Sequence, residues 1–355
     1  MLGRGIDQIQ AHPGAPQIYE SWARSAESYI GLAERESGPI PRGVDPSYVW
    51  GSMLDVLDEA APHAIIVNLE TAVTDRGRPW PDKGIHYRMH QDNIDVLTVA
   101  GVDVASLANN HVLDWSEPGL TQTLGALRGA GIAPVGAGVD SKEAWRPVRV
   151  HRDGLGVVIL GVGTAGSGIP AAWAADAHHP GVAYLKDLSG RTIDQVAAAI
   201  AGVKQPNDVA VLSIHWGGNW GYGVSTARRR FAHRLIDESS VDVIHGHSSH
   251  HPVGIEVYRE HLILYGCGDL ITDYEGIGGH EEFRASLGGL YLPSIQPATG
   301  KLVDLTIIPT RMKNFQLVRP SDEDARWLAA ALDSAGAPFR TSTAADAFGN
   351  LRLSW

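Results

Sequence analysis

A chain of 355 residues, 44% hydrophobic and 19% charged, holds enough apolar material for one large domain or two ordinary ones, which excludes a globally disordered protein. Lys and Arg number 29 against 40 Asp and Glu, a formal net charge of -11, and that field argues against nucleic acid and anionic membranes as partners. The single cysteine, Cys267, rules out a disulfide framework and a Cys-rich zinc site, whereas 16 histidines and 10 tryptophans direct attention to metal ligands and an aromatic-lined pocket.

No apolar stretch follows Arg4 as a signal peptide would require, and the most apolar segment, 157–177, is interrupted by glycines and by Pro170. The expectation is a soluble, cytoplasmic protein. Along the chain, helical patterns are expected at 18–36, 48–60, 92–100, 120–130, 187–203 and 227–238. Between them stand short apolar runs at 64–67, 102–107, 156–162, 209–214 and 241–244, and this alternation predicts α/β layers. Beyond Ile255 the pattern changes to a tight strand return at 255–258 and 262–265, then strands at 287–292 and 302–308. Ser321 with Asp324 opens a helix over 323–334, which Gly336 and Pro338 end. The expected organisation is one domain over 1–315, with a C-terminal helix and closing strand, 316–355, packed on it.

Four of the apolar runs end in polar residues of catalytic type, and the carboxyl edge of an open α/β sheet is where ligands bind. The sharpest cluster is His245-Gly-His247-Ser-Ser-His250-His251. Imidazole is the commonest transition-metal ligand, and the intervening glycine lets a tight loop aim several rings at one point. In Asn109-Asn110-His111-Val-Leu-Asp114 the Asn110 amide oxygen suits a metal, His111 suits acid or base work, and Asp114 can orient the imidazole; a turn with an Asx cap explains the same residues. Asn68-Leu69-Glu70 and His215-Trp216-Gly217-Gly218-Asn219-Trp220 are weak alone, since Glu70 could cap a helix and His215 could be a core histidine. In Lys83-Gly-Ile-His86-Tyr-Arg88, Lys83 and Arg88 are candidate binders of a substrate carboxylate or phosphate and His86 a possible acid or base, against the alternative of a solvated loop. Gly161-Val-Gly-Thr-Ala-Gly166 runs into Gly168 and Pro170 rather than a helix, so it is a poor dinucleotide fingerprint, and no phosphate loop or nucleophile elbow is present.

Taken in order, Asn68-Leu-Glu70, Ala108-Asn-Asn-His111-Val-Leu-Asp114, Ser213-Ile-His-Trp-Gly217 and Gly246-His-Ser-Ser-His250 resemble the CapA family of poly-γ-glutamate synthesis proteins, itself similar to calcineurin-like metallophosphoesterases. The resemblance runs from residue 1 to about Gly268. It implies a four-layer fold, two central sheets flanked by helices, with a divalent metal at the strand ends. Glu70, Asn110, His215, His247 and His250 are the implied ligands and His111, backed by Asp114, the implied catalytic histidine. Members usually open with a strand ending Gly-Asp-Val-Met before Gly-Arg; Met1-Leu-Gly-Arg4 stands inside that motif, without its Asp, so one ion per chain is expected rather than two. Histidines favour Zn or Mn, while Glu70 and Asn110 also admit Ca. Cys267-Gly-Asp269 stands where many members have Gly-Asn-Phe and adds a carboxylate beside the histidines.

Three functions compete. The first expectation is a peptide epimerase like those of lasso-peptide maturation, in which two His/Asp couples face each other: His111–Asp114, and one of His86, His247 or His250 with Asp269. Trp216 and Trp220 would line the peptide site. The second is hydrolysis of a phosphoester or γ-glutamyl amide in capsule metabolism, and the third a non-catalytic peptide-binding module.

Overall fold

The computed structural model describes residues 1–355. Three large sheets follow one another along the chain, beside two small two-stranded ones. A parallel three-stranded sheet contains β1 (Ile66–Asn68), β2 (Val104–Ser106) and β3 (Ala133–Val135) in that order. A seven-stranded sheet has the order β6-β5-β7-β8-β10-β9, with β4 (Val148–Arg152) hairpinned onto β5 (Leu155–Thr164). Its other members are β6 (Tyr184–Leu185), β7 (Val209–His215), β8 (Val243–His247), β9 (Ile255–Tyr258) and β10 (His261–Leu264). The third, antiparallel, has the order β11-β12-β15-β14, with β13 (Gln316–Val318) on β12. Its long strands are β11 (Leu287–Gln296) and β12 (Lys301–Lys313), closed by β14 (Ser342–Ala345) and β15 (Leu351–Ser354).

The side-chain period of two explains how these sheets stack. Ile159, Val211 and Val243 point into a central core shared with Val104 and Val135 of the small sheet and Leu305, Ile307 and Leu353 of the antiparallel one. The next residue on each strand, Leu160, Leu212 and Ile244, faces outward onto Ile193 and Val196 of α4 (Gly190–Ala201) and Phe231 and Leu235 of α5 (Thr226–Glu238). Every residue of β7 is buried, as expected of a strand covered on both faces. On the opposite side α3 (Ser116–Gly129) packs against β3, and α1 (Glu27–Ser37) and α2 (Met53–Ala60) join it in one core cluster through Ile30, Leu57 and Leu124. The layers are therefore helices, the three- and five-stranded sheets together, the seven-stranded sheet, and helices again. This is the α/β, calcineurin-like arrangement the sequence implies. Residues 316–355 supply β13–β15 and α6 (Asp322–Gly336), whose Leu328 and Leu332 enter the central core.

Three expected helices are shorter than their patterns. Residues 18–26 form a loop closed by Ile18 N–H to the Arg24 carbonyl, 3.2 Å, and Ala26 N–H to the Pro16 carbonyl, 2.8 Å, so α1 starts only at Glu27. That loop delivers Glu20 to Arg4. Residues 48–60 are broken at Gly51, where φ is +50° and a Cβ would stand 2.2 Å from the Leu317 carbonyl oxygen. Within 92–100 only Asp95–Thr98 is α-helical.

Behind the site the small sheet and β5 touch at glycine. Gly136 has φ +80°, and a Cβ there would fall 2.7 Å from Ala108 Cβ and 3.0 Å from Gly161 C. This contact seats the 109–114 loop on the large sheet. Gly136→Ala is expected to cost about 1–3 kcal/mol by overpacking and strain. Gly125→Ala, at an exposed position of α3 with nothing within 4 Å, should gain about 0.5–1 kcal/mol; urea melts of both variants check the opposite signs.

A slot of about 930 Å³ separates β1 from β11, each the last strand of its sheet on that side. Its floor is apolar, with Val211, Val243 and Leu264, and it reaches Glu70, His247 and Asp269.

Candidate functional site

Parallel pairing sets the geometry. His215 ends β7 directly beside His247 of β8, so both rings leave the same face of the sheet. Their Nδ1 atoms lie 2.7 Å apart, one donating to the other, and His247 Nε2 is 2.9 Å from Ser213 Oγ. β1 and β2 pair Asn68 with Ser106, which brings Glu70 and the 109–114 loop to the same edge. Asn109 is the scaffold of that loop: its amide nitrogen donates to Leu69 O, 2.8 Å, and Asn68 Oδ1, 3.1 Å, and its oxygen accepts from His111 N–H. Asn68 in turn donates to Glu70 Oε2, 3.0 Å, leaving Oε1 for the site.

Glu70 Oε1 stands 3.9 Å from His215 Nε2 and 4.0 Å from His111 Nε2, and Asn110 Oδ1 lies 3.1 Å from His215 Nε2. Burial is the main influence on all of these groups. It pushes the Glu70 carboxyl up and holds His111, His215 and His247 well below the ordinary imidazole range, with Lys83 adding to the effect at His111. No cluster of three or more His, Cys, Asp or Glu converges as a metal site. The tightest donor set is mixed and includes the Asn110 amide.

His111 Nδ1 donates to Asp114 Oδ2 at 2.7 Å, which fixes the tautomer and leaves Nε2 facing Glu70. Asp114 is fully enclosed and also accepts from Tyr87 N–H, 2.6 Å. Burial raises its carboxyl to about 6 against the pull of Lys83. A second couple forms on the other side, where His250 Nδ1 is 3.1 Å from Asp269 Oδ2 and Nε2 is 3.4 Å from Tyr274 Oη. His250 thus engages Asp269 and Tyr274 instead of joining the Glu70–Asn110–His215 set. Of the pairings with Asp269 considered above, the structure makes the one with His250.

Several expected substrate contacts are otherwise employed. Lys83 is an ion-pair partner of Asp114 and donates to the Asn110 carbonyl, so its ammonium is not free for a substrate anion. Arg88 lies 3.9 Å over the Trp115 ring and donates to the Ala15 carbonyl, 2.8 Å. His86 packs among Tyr19 and Trp115 and donates from Nε2 to the Trp80 carbonyl, 2.9 Å, with Nδ1 buried and unpartnered. Trp216 is a core residue whose indole N–H donates to the Tyr265 carbonyl. Trp220 is half-buried, 5.4 Å from the His250 ring and stacked on His280.

The charge beneath the site is not foreshadowed by any motif. Arg4 is buried, donates twice to Asp273 (3.1 and 2.6 Å) and once to Glu20 (2.8 Å), and lies between the rings of Tyr29 and Tyr87. Tyr87 meets the His111 ring edge-on at 4.3 Å. An arginine between two glycines was the only available signal.

Residues 1–274 match the family described as bacterial capsule synthesis protein PGA_cap. The chain belongs to that family. The match takes in the first two sheets and stops short of the antiparallel one. Over 330 residues, 92% of this chain and 87% of the relative, the PGA_cap chain is 48% identical to a "Probable polyglutamine synthesis accessory protein" of Mycobacterium tuberculosis. Over 276 residues, 77% of this chain and 61% of the relative, it is 28% identical to the "PGA biosynthesis protein CapA" of Bacillus subtilis. These names concern polymer synthesis, and they favour the capsule alternative over the lasso-peptide epimerase placed first from sequence. No helix is long and apolar enough to cross a membrane.

Proposed function

We propose that this chain is a metal-assisted hydrolase of an acidic polymer, cleaving γ-glutamyl amide bonds in polyglutamate capsule metabolism. The observation that carries the reading is the Asp114–His111 couple with its free Nε2 turned toward Glu70 and His215. Such an oriented, neutral imidazole has no purpose in a pure binding module.

A divalent ion suits the donors present. Ligands at about 2.0–2.6 Å from one ion stand roughly 3–4 Å from each other, and the Glu70, Asn110 and His215 atoms are separated by 3.1 and 3.9 Å. His247 would then orient His215 from behind. When bound, the ion supplies positive charge to polarise the amide carbonyl. The chain's own residues handle the protons. His111 Nε2 takes one from the attacking water as its oxygen bonds to the carbonyl carbon. His250, whose affinity for a proton Asp269 raises above the ordinary imidazole range against the effect of burial, returns one to the departing amine nitrogen as the C–N bond breaks. The same second couple is what a two-base epimerisation would use, and it is the one feature that favours that reading.

The test is metal content by mass spectrometry on protein purified without added metal, together with hydrolysis of oligo-γ-glutamate. About one divalent ion per chain, lost in Glu70→Ala along with hydrolysis, is expected. Hydrolysis that survives both chelation and Glu70→Ala overturns the metal-assisted step; deuterium uptake at Cα without cleavage would replace hydrolysis by epimerisation.

A further inference from the structure

Beside the site, sharing Ser249 with the slot, lies a pocket of about 260 Å³. One wall is bare backbone at Gly218, Gly221 and Gly223; the others are Trp220, Arg228 and Ser249. Its two polar groups lack the partners that such groups normally have. Arg228 is half-buried and donates to the Gly223 carbonyl, 2.7 Å, yet no carboxylate lies within ion-pair distance. Its helix neighbours differ: Arg229 pairs with Glu256 and Arg234 with Glu238, each at 2.7 Å. The nearest rings, Trp216 and Tyr265, are 5.8 and 6.0 Å from the guanidinium, at the limit of a useful cation–π contact. The Ser249 hydroxyl is buried, 6% exposed as a residue, and has no hydrogen-bond partner. A buried unpaired hydroxyl and a partly desolvated guanidinium are both unfavourable unless a ligand completes them.

We propose that Arg228 and Ser249 form a carboxylate subsite that holds a pendant α-carboxylate of the polymer next to the cleavage centre. The guanidinium matches a carboxylate, and rotation of the Ser249 side chain turns its hydroxyl from Gly266 to one of the carboxylate oxygens; the small volume takes one pendant carboxylate while the glycine wall admits the polymer backbone. Arg228 sits in the first turn of α5, a 13-residue helix, whose amino end adds to the positive field. Ser249 lines both this pocket and the slot that reaches Glu70, His247 and Asp269, so the subsite opens beside the catalytic groups. In a chain of net charge -11, a dedicated cation is what brings an anionic polymer to the surface.

Calling the ligand a carboxylate of the polymer rests on the proposed function, so the test reads binding and not turnover. Glutarate, its neutral diamide and inorganic phosphate are titrated into the intact protein, followed by calorimetry and by the fluorescence of Trp216 and Trp220. Saturable binding of glutarate alone is expected, weakened roughly tenfold by Arg228→Gln, less by Arg228→Lys, and unaffected by Arg230→Gln on the exposed side of the same helix. Ser249→Ala should weaken it roughly threefold to tenfold, and decides the matter if Arg228→Gln does not fold. Equal binding of the diamide or of phosphate, no saturation by glutarate, or unchanged affinity in both variants overturns the subsite. Glutarate binding in a protein that cleaves no polymer would leave the subsite standing and remove the hydrolase reading alone.

Discussion

His111→Ala is expected to lower the hydrolysis rate by about 10²- to 10⁴-fold, the usual contribution of one positioned acid or base. The fold should survive. Asp114 keeps Lys83 and the Tyr87 amide as partners, so no buried carboxylate is orphaned. The loss should therefore fall on kcat, with KM and the melting temperature nearly unchanged. Metal content separates this role from ligation, because Glu70, Asn110 and His215 all remain in the variant. Asp114→Asn should also impair turnover, since the amide can hold His111 in the wrong tautomer, but it removes the partner of a half-buried ammonium and will cost stability as well. Retained hydrolysis in His111→Ala would sink the catalytic assignment for amide cleavage and for epimerisation alike.

The largest loss of stability is expected at Arg4. Arg4→Met leaves Asp273 and Glu20 buried without their counter-charge, and breaking a buried pair in this way costs about 3–5 kcal/mol. Methionine fills much of the same volume, so the penalty is electrostatic and not a cavity. Asp273→Asn should cost less, because Arg4 retains Glu20 and the Gly5 amide can still find the amide oxygen. Urea unfolding measures both. Tyr87 connects this network to the catalytic group: with the guanidinium gone from its face, its contact with His111 loosens and turnover falls further than stability alone explains. An Arg4→Met protein as stable as the parent would show that the ion cluster contributes nothing.

The strand-end residues were legible because each follows an apolar run, and a run's period of two fixes which side chains leave on one face. His215 and His247 meet for that reason. The helix over 322–336 was legible from its cap, and Ser321 does accept from Asp324 N–H. What failed was long-range. Lys83, His86 and Arg88 lie in a segment without periodicity, so nothing local distinguishes a solvent-facing cation from one paired to Asp114 or laid on Trp115. The pattern over 18–26 is helical, yet that stretch yields to an ion pair with Arg4 made 16 residues away. Arg4 and Asp273 are separated by 269 residues and share no motif. Trp216 and Trp220 carry the same residue type four positions apart, and only packing assigns one to the core and the other to the rim.

The slot between β1 and β11 has a consequence for handling. Each bordering strand has one side on which its amides and carbonyls find no ladder partner, above a floor of valine and leucine. Sheet rims of this kind are templates for edge-to-edge polymerisation. What opposes it is mutual repulsion between molecules of charge -11, and that repulsion fades beyond a screening length of about 8 Å at physiological ionic strength. Added salt, a common aid to solubility, would here remove the main obstacle to self-association, and the protein keeps best dilute and at low ionic strength.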